Sequence, residues 1–209
     1  MTHAISTADR SFATPSALRN CAVAAGPLFL AVGVAQGLTR DGFDFTRNAI
    51  SQLSLGDLGW IQVANFVVTG ALLIAGAFGL PGTWAPRLVA VFGASFLVSA
   101  VFAADPGAGF PAGTPDGPGT LSAQGTVHML GGMVGYLALC AALVVLARHL
   151  SARGRRGWAV ATRVVPVLVV AGFAGSGASV LSFFAGAALG LLWLAAVAAR
   201  LGGEAPAGR

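Results

Sequence analysis

Residues 126–158, TVHMLGGMVGYLALCAALVVLARHLSARGRRGW, show most clearly what kind of fold the sequence encodes. Residues 126–147 contain no Asp, Glu, Lys or Arg. As a helix, a run of this length covers the hydrocarbon core of a bilayer, which is about 30 Å thick. Four arginines follow directly, at positions 148, 153, 155 and 156. An apolar run that ends in a basic loop predicts a transmembrane helix whose loop lies in the cytoplasm.

The composition of the whole chain extends this interpretation. Of its 209 residues, 56% are hydrophobic and only 9% are charged, and the mean hydropathy is +0.81. Soluble domains carry about 25% charged residues, so this chain has too few to cover a water-exposed surface. All twelve basic residues are arginine, which together with abundant Ala and Gly is typical of a GC-rich bacterial genome.

Five further apolar runs have the length of a membrane span, because a spanning helix needs about 20 residues. We therefore predict an all-α, polytopic membrane protein with a bundle of six transmembrane helices over residues 18–201. The predicted spans are 18–38, 60–80, 88–104, 126–147, 158–177 and 181–201. Only Gly175-Ser176-Gly177 and Ser179 mark the boundary between the last two spans. Residues 1–17 are predicted to be a disordered cytoplasmic tail, and residues 202–209 a second cytoplasmic tail.

The distribution of arginine predicts the orientation in the membrane. Nine arginines fall in segments on the side of the N-terminus, and two, Arg40 and Arg47, fall in loops on the opposite side. The positive-inside rule then places both termini in the cytoplasm and makes this a multi-pass protein of the cell membrane. The net charge of +5 is thus explained by the orientation of the protein in the membrane, which argues against nucleic-acid binding.

Polar residues concentrate at the predicted outer ends of the spans. The spacing of three among Asn48, Ser51 and Ser54 favours a short interfacial or re-entrant helix that packs against the bundle. On the second span, Gln62, Asn65 and Thr69 share one face that should point into the bundle. Asp105 ends the third span and His128 begins the fourth. We predict a ligand-binding pocket at the outer face with the following members: Asn48, Ser51, Ser54, Asn65, Asp105 and His128.

Asp105 and His128 are the candidate catalytic residues, because a carboxylate beside an imidazole tunes it as a base. Simpler structural roles stay open for each of these side chains. Asp105-Pro106 can end a helix, His128 can bond a backbone carbonyl, and the serines can bond their own backbone. No metal site is predicted, because a metal ordinarily needs three or more protein ligands.

Three blocks of this sequence resemble a known family. They are RNAISQLSLGDLGWIQVANFVVTG at 47–70, FAADPGAGFPAGTP at 102–115 and QGTVHMLGG at 124–132. Together they resemble the bacterial membrane proteins of domain of unknown function 998, over about residues 18–201. The resemblance implies six spans and no established activity. The first block is also loosely similar to the Frag1/DRAM/Sfk1 membrane family, in which an Ile-Ser motif precedes the second span.

Three functions are consistent with these observations. The first is a non-catalytic protein that binds a membrane lipid or a small molecule at the polar outer pocket. The second is an intramembrane lipid hydrolase or transferase that uses Asp105 and His128. A small-solute transporter ranks third, because the spans lack a central acidic residue. The sequence leaves the ligand, any cofactor and the oligomeric state unknown.

Overall fold

The computed structural model describes residues 14–117 and 119–202, and in these ranges it contains helices and no β-strand. The prediction of an all-α six-helix bundle is confirmed. All six helices are long and apolar enough to cross a membrane. The helices are α1 (Pro15–Thr39), α2 (Gly59–Ala77), α3 (Trp84–Val101), α4 (Ala123–Ala152), α5 (Arg156–Ala174) and α6 (Val180–Gly202).

The helices pack in chain order, and α6 closes the ring by packing against α1. Successive helices run in opposite directions and lie side by side. Accordingly, the first turns of α1 meet the last turn of α6, where Arg19 Nη1 donates to the carbonyl of Leu201 at 3.1 Å. Apolar side chains from all six helices form one continuous core inside this ring. Helices satisfy their own backbone hydrogen bonds, which is what a lipid environment requires.

Glycine allows the helices to approach closely at several places in the bundle. A Cβ atom at Gly76 of α2 would overlap the backbone of Ala22 on α1, and one at Gly26 would meet the backbone of Leu191 on α6. Close backbone approach at small residues is the usual way in which membrane helices pack, since lipid supplies no hydrophobic force between them. These glycines therefore allow α1 to pack closely against both α2 and α6.

The helix ends differ from the predicted spans by a few residues. Helix α1 begins at Pro15 rather than at residue 18, because Pro is favoured in a first turn and the Thr14 hydroxyl accepts a hydrogen bond from the N–H of Ala17. The weak boundary near Ser179 is a short 3-10 turn, Gly175–Gly177, after which α6 begins at Val180. The rest of the predicted tails, residues 1–13 and 203–209, lies outside the described residues.

Two long connections, residues 40–58 and 102–122, meet at one end of the bundle, which we call the loop-rich end. They contact each other directly: the amide of Asn48 donates to the carbonyls of Gly107 and Ala108. The start of α6 lies there too, because the ring of Phe184 packs on that of Phe45 with centroids 5.5 Å apart. The candidate site lies at this end.

Candidate ligand site at the loop-rich end

The first connection is ordered and rests against the bundle, as predicted. Its centre is a 3-10 helix, Ile50–Ser54, whose Leu53 side chain is fully buried. The Arg40 guanidinium donates to the carbonyl of Leu53 at 3.2 Å and to that of Leu55 at 2.6 Å, and it stacks over the ring of Phe110. This arginine, counted in the sequence only as a topology signal, therefore holds the end of the 3-10 helix in place.

Asn48 joins the two connections. Its side chain is 2% exposed. Its Oδ1 accepts from the N–H of Asp44 at 2.9 Å, while its Nδ2 donates to the carbonyls of Gly107 at 3.3 Å and Ala108 at 3.2 Å. Both ends of the amide are thus engaged with backbone groups. This geometry assigns Asn48 a structural role in closing the loop-rich end.

Gln52 also bridges the two connections, and it was not among the predicted site residues. Its Nε2 donates to the carbonyl of Asp105 at 3.1 Å, and its Oε1 accepts from the N–H of Ala49 at 3.0 Å. Gln52 lies three residues after Ala49, the residue that precedes the helix, which is the spacing of a capping box, and that spacing was the available signal. Gln52 therefore positions Asp105 through its main chain.

The Asp105 carboxylate is fixed at the start of α4. Its Oδ2 accepts from the N–H of Ser122 at 2.9 Å, and the Ser122 hydroxyl in turn accepts from the N–H of Gly125. Hydrogen bonding from the side chain and the backbone N–H of Ser122, aided by the nearby His128 imidazole, holds the pKa of the Asp105 carboxyl below its ordinary value. A Cβ atom at Gly125 would overlap this carboxylate, so the approach requires glycine. Asp105 is consequently a carboxylate held against a helix N-terminus, which favours negative charge.

His128 lies one turn further along α4 and is 8% exposed. Its Nδ1 is 2.8 Å from the carbonyl oxygen of Phe102, at the end of α3. A carbonyl can only accept, so Nδ1 carries a proton and Nε2 has the free lone pair in the neutral ring. The imidazole also packs against an aromatic side chain: the ring of Phe66 meets it edge-on, with the two ring centroids 6.1 Å apart.

A cavity of about 290 Å³ opens between these groups. It brings together three of the six predicted residues: Ser51, Asp105 and His128. Gln52 lines it as well, and the apolar side chains of Leu121 and Met129 border it, each more than 60% exposed. The remaining lining residues are Ala49, Ala104, Pro106, Gly107, Ala108, Gly119 and Gly125.

The other three predicted residues do not line this cavity. Asn48 is engaged between the loops, as described above. The Ser54 hydroxyl donates to the carbonyl of Ser51 at 2.8 Å, within its own turn. Asn65 lies deeper in the bundle, where its Nδ2 donates to the carbonyl of Phe29 at 3.1 Å. The expected convergence of six side chains is thus reduced to three, because the other amides and hydroxyls bond backbone groups nearer to them.

The candidate catalytic pair is close but not joined. No hydrogen bond connects Asp105 with His128, and no ion pair within 4.0 Å does. The imidazole proton that Asp105 would have to hold is directed at the carbonyl of Phe102. Catalysis by these residues stays a prediction. Among residues 14–117 and 119–202, no group of three or more His, Cys, Asp and Glu side chains is placed to hold a metal ion.

The fold and the composition together define an integral, multi-pass membrane protein in contact with lipid. The chain belongs to the family described as "Protein of unknown function (DUF998)", whose model matches residues 23–200. This confirms the resemblance to domain of unknown function 998. The looser similarity to the Frag1/DRAM/Sfk1 family and the bacterial origin stay predictions. No curated protein matches the chain, and no solved structure matches it.

Proposed function

We propose that this protein binds a membrane lipid through its headgroup in the cavity formed by Ser51, Asp105 and His128. The observation that carries the proposal is the composition of the cavity wall. A carboxylate and an imidazole line it together with apolar surface, which includes the exposed side chains of Leu121 and Met129. Two ionisable groups set in a largely apolar wall match a ligand that is polar at one end and apolar at the other.

The chemistry of the wall favours a headgroup that donates hydrogen bonds. His128 Nε2 makes no hydrogen bond within the described residues, and the Asp105 carboxylate, whose Oδ2 accepts from the N–H of Ser122, can accept further ones. The lining contains no Arg or Lys to neutralise a phosphate. A primary ammonium group, as in phosphatidylethanolamine, supplies both the donors and the positive charge that the Asp105 carboxylate favours.

The arginine distribution supports an orientation for the site. The end opposite to the loop-rich end carries most of the arginines, including Arg148 near the end of α4, Arg153 and Arg155 of the α4–α5 connection, and Arg156 at the start of α5. The positive-inside rule favours a cytoplasmic position for that end and for both termini. The cavity then opens toward the outer leaflet of the cell membrane.

Native mass spectrometry of the protein released from nanodiscs tests the proposal. The nanodiscs contain equal amounts of phosphatidylethanolamine and phosphatidylglycerol. We expect the wild type to retain phosphatidylethanolamine preferentially. Asp105→Asn removes the charge that would pair with the ammonium group, so it should weaken this retention roughly tenfold. His128→Ala should weaken it as well without reducing membrane insertion.

Asp57→Asn is the matched control, because Asp57 is an exposed carboxylate in the first connection and does not line the cavity. It should retain lipid like the wild type. Adding free ethanolamine distinguishes a lipid ligand from a soluble amine. If a low concentration of ethanolamine displaces the lipid, the ligand is a soluble amine. Equal retention of both lipids, or an unchanged Asp105→Asn variant, would contradict the proposal.

A further inference from the structure

A second polar cluster lies inside the bundle, between α1 and α2. It consists of Gln36, Gln62, Asn65 and Thr69, all more than nine-tenths buried. Gln36 Nε2 donates to Gln62 Oε1 at 2.8 Å, and Asn65 Nδ2 donates to the same oxygen at 3.2 Å. The sequence predicted that the α2 members point inward, which the structure confirms, but it did not single out Gln36 on α1.

The cluster does not satisfy its own hydrogen-bonding groups. Four buried atoms make no hydrogen bond within the described residues: Gln36 Oε1, Gln62 Nε2, Asn65 Oδ1 and Thr69 Oγ1. Buried polar groups in folded proteins are nearly always paired, and in an apolar bundle an unpaired one is especially unfavourable. Four such atoms on four neighbouring side chains therefore indicate a partner that the protein itself does not supply.

The chemistry of these atoms selects the partner. Gln62 Oε1 accepts from two amide groups, which fixes the orientation of that side chain and leaves its Nε2 as the donor. The open groups are thus one amide donor, two carbonyl acceptors and a hydroxyl that can do either. A metal cation would be repelled by the amide N–H and an anion by the carbonyl oxygens. Water both donates and accepts, and buried waters typically make about three hydrogen bonds to such groups.

We propose that this cluster is a binding site for ordered water within the membrane-spanning part of the bundle. The site is distinct from the lipid cavity and does not depend on the proposed lipid binding. It gives α1 and α2 a polar contact that completes the hydrogen bonds of all four side chains. Asn65 of the cluster donates to the backbone carbonyl of Phe29, whose ring lies 5.6 Å from that of Phe66, so we choose these two residues as probes for a direct measurement.

Hydroxyl-radical footprinting by X-ray radiolysis tests the proposal, because radicals formed from bound water modify the side chains beside it even when these are buried. Phe29 and Phe66 are both 4% exposed. Phe92, which is fully buried in the same core and is not part of the cluster, is the internal control. We expect modification of Phe29 and Phe66 well above that of Phe92. In water enriched in oxygen-18, the heavy oxygen should appear in their products.

Two variants sharpen the test. Thr69→Val keeps the side-chain volume and removes one partner, and Gln62→Leu removes the central amide. Each should reduce the modification of Phe29 and Phe66 while leaving that of Phe92 unchanged. If Gln62→Leu does not fold, Thr69→Val alone provides the test. Modification of Phe29 and Phe66 no greater than that of Phe92 would overturn the proposal. A melting temperature that rises selectively with sodium or potassium would overturn it too, by identifying a cation as the ligand.

Discussion

The Asn48→Ala variant examines how the loop-rich end is held together. In the structure this amide makes three hydrogen bonds to backbone groups of two separate connections. Gly107 would keep a partner, because its carbonyl also accepts from the N–H of Phe110. The N–H of Asp44 and the carbonyl of Ala108 would lose theirs. At roughly 1–1.5 kcal/mol for each orphaned group, the variant should lose about 2–3 kcal/mol of unfolding free energy.

The assay is thermal unfolding of the purified protein in detergent, followed by size-exclusion chromatography of the remaining folded fraction. Asn48→Asp should be at least as damaging as Asn48→Ala, because it directs a carboxylate oxygen at the carbonyls of Gly107 and Ala108. Ser54→Ala is the control: its hydroxyl bonds only its own turn, so its loss should cost less than about 0.5 kcal/mol. If Asn48→Ala and Ser54→Ala melt together with the wild type, the structural role of Asn48 is refuted.

Three further predictions concern packing, pH and orientation. Gly76→Ala should lower the melting temperature, because its Cβ overlaps the backbone of Ala22, whereas Gly132→Ala, which meets no atom within 4 Å, should leave it unchanged or slightly raised. The pKa of Asp105 is lowered in the folded protein, so the stability from its ionised form is complete above its ordinary value of 3.8 and is lost as the pH falls through the lowered pKa. In Asp105→Asn, the melting temperature should therefore fall less steeply at acidic pH than in the wild type. An equally steep fall would count against the contact between Asp105 and Ser122. Reporter fusions after residue 115 and after residue 152 should read outside and cytoplasm respectively, and the reverse would disprove the orientation.

The membrane spans could be predicted from the sequence because lipid acts on composition over about 20 residues at a time. Single residues decide where each helix ends, and these shift the bounds by a few positions. Pro15 extends α1 because its missing N–H is not needed in the first turn. Likewise, Gly175 and Ser179 separate α5 from α6, and this was the boundary that the sequence marked least clearly.

The candidate site could be predicted only in part. Ser51, Asp105 and His128 share the cavity because topology alone places them at one end of the bundle. Asn65 was assigned to the same pocket, but it is the seventh residue of α2, about 9 Å from the helix start at 1.5 Å per residue. At that depth its nearest partners are Gln62 and the backbone of α1.

The roles of Asn48 and Gln52 could not be predicted, because their partners are set by the shape of the second connection. Asn48 donates to Gly107 and Ala108, and Gln52 donates to the carbonyl of Asp105. Ala108 has a positive φ of 52°, and Gly109 one of 80°, so this loop follows a path that residue spacing does not encode. Polar spacing can place a side chain on a face, but it does not identify which backbone carbonyl will meet it.

The most direct test of the central claim is an experimental structure determined in a lipid phase that contains phosphatidylethanolamine. We expect headgroup density in the cavity, with the amine about 3 Å from the Asp105 carboxylate and the acyl chains leaving between Leu121 and Met129. The same experiment on Asp105→Asn should show the density weakened or absent. Headgroup density only elsewhere on the protein, with the Asp105 cavity closed or filled by water alone, would contradict the claim.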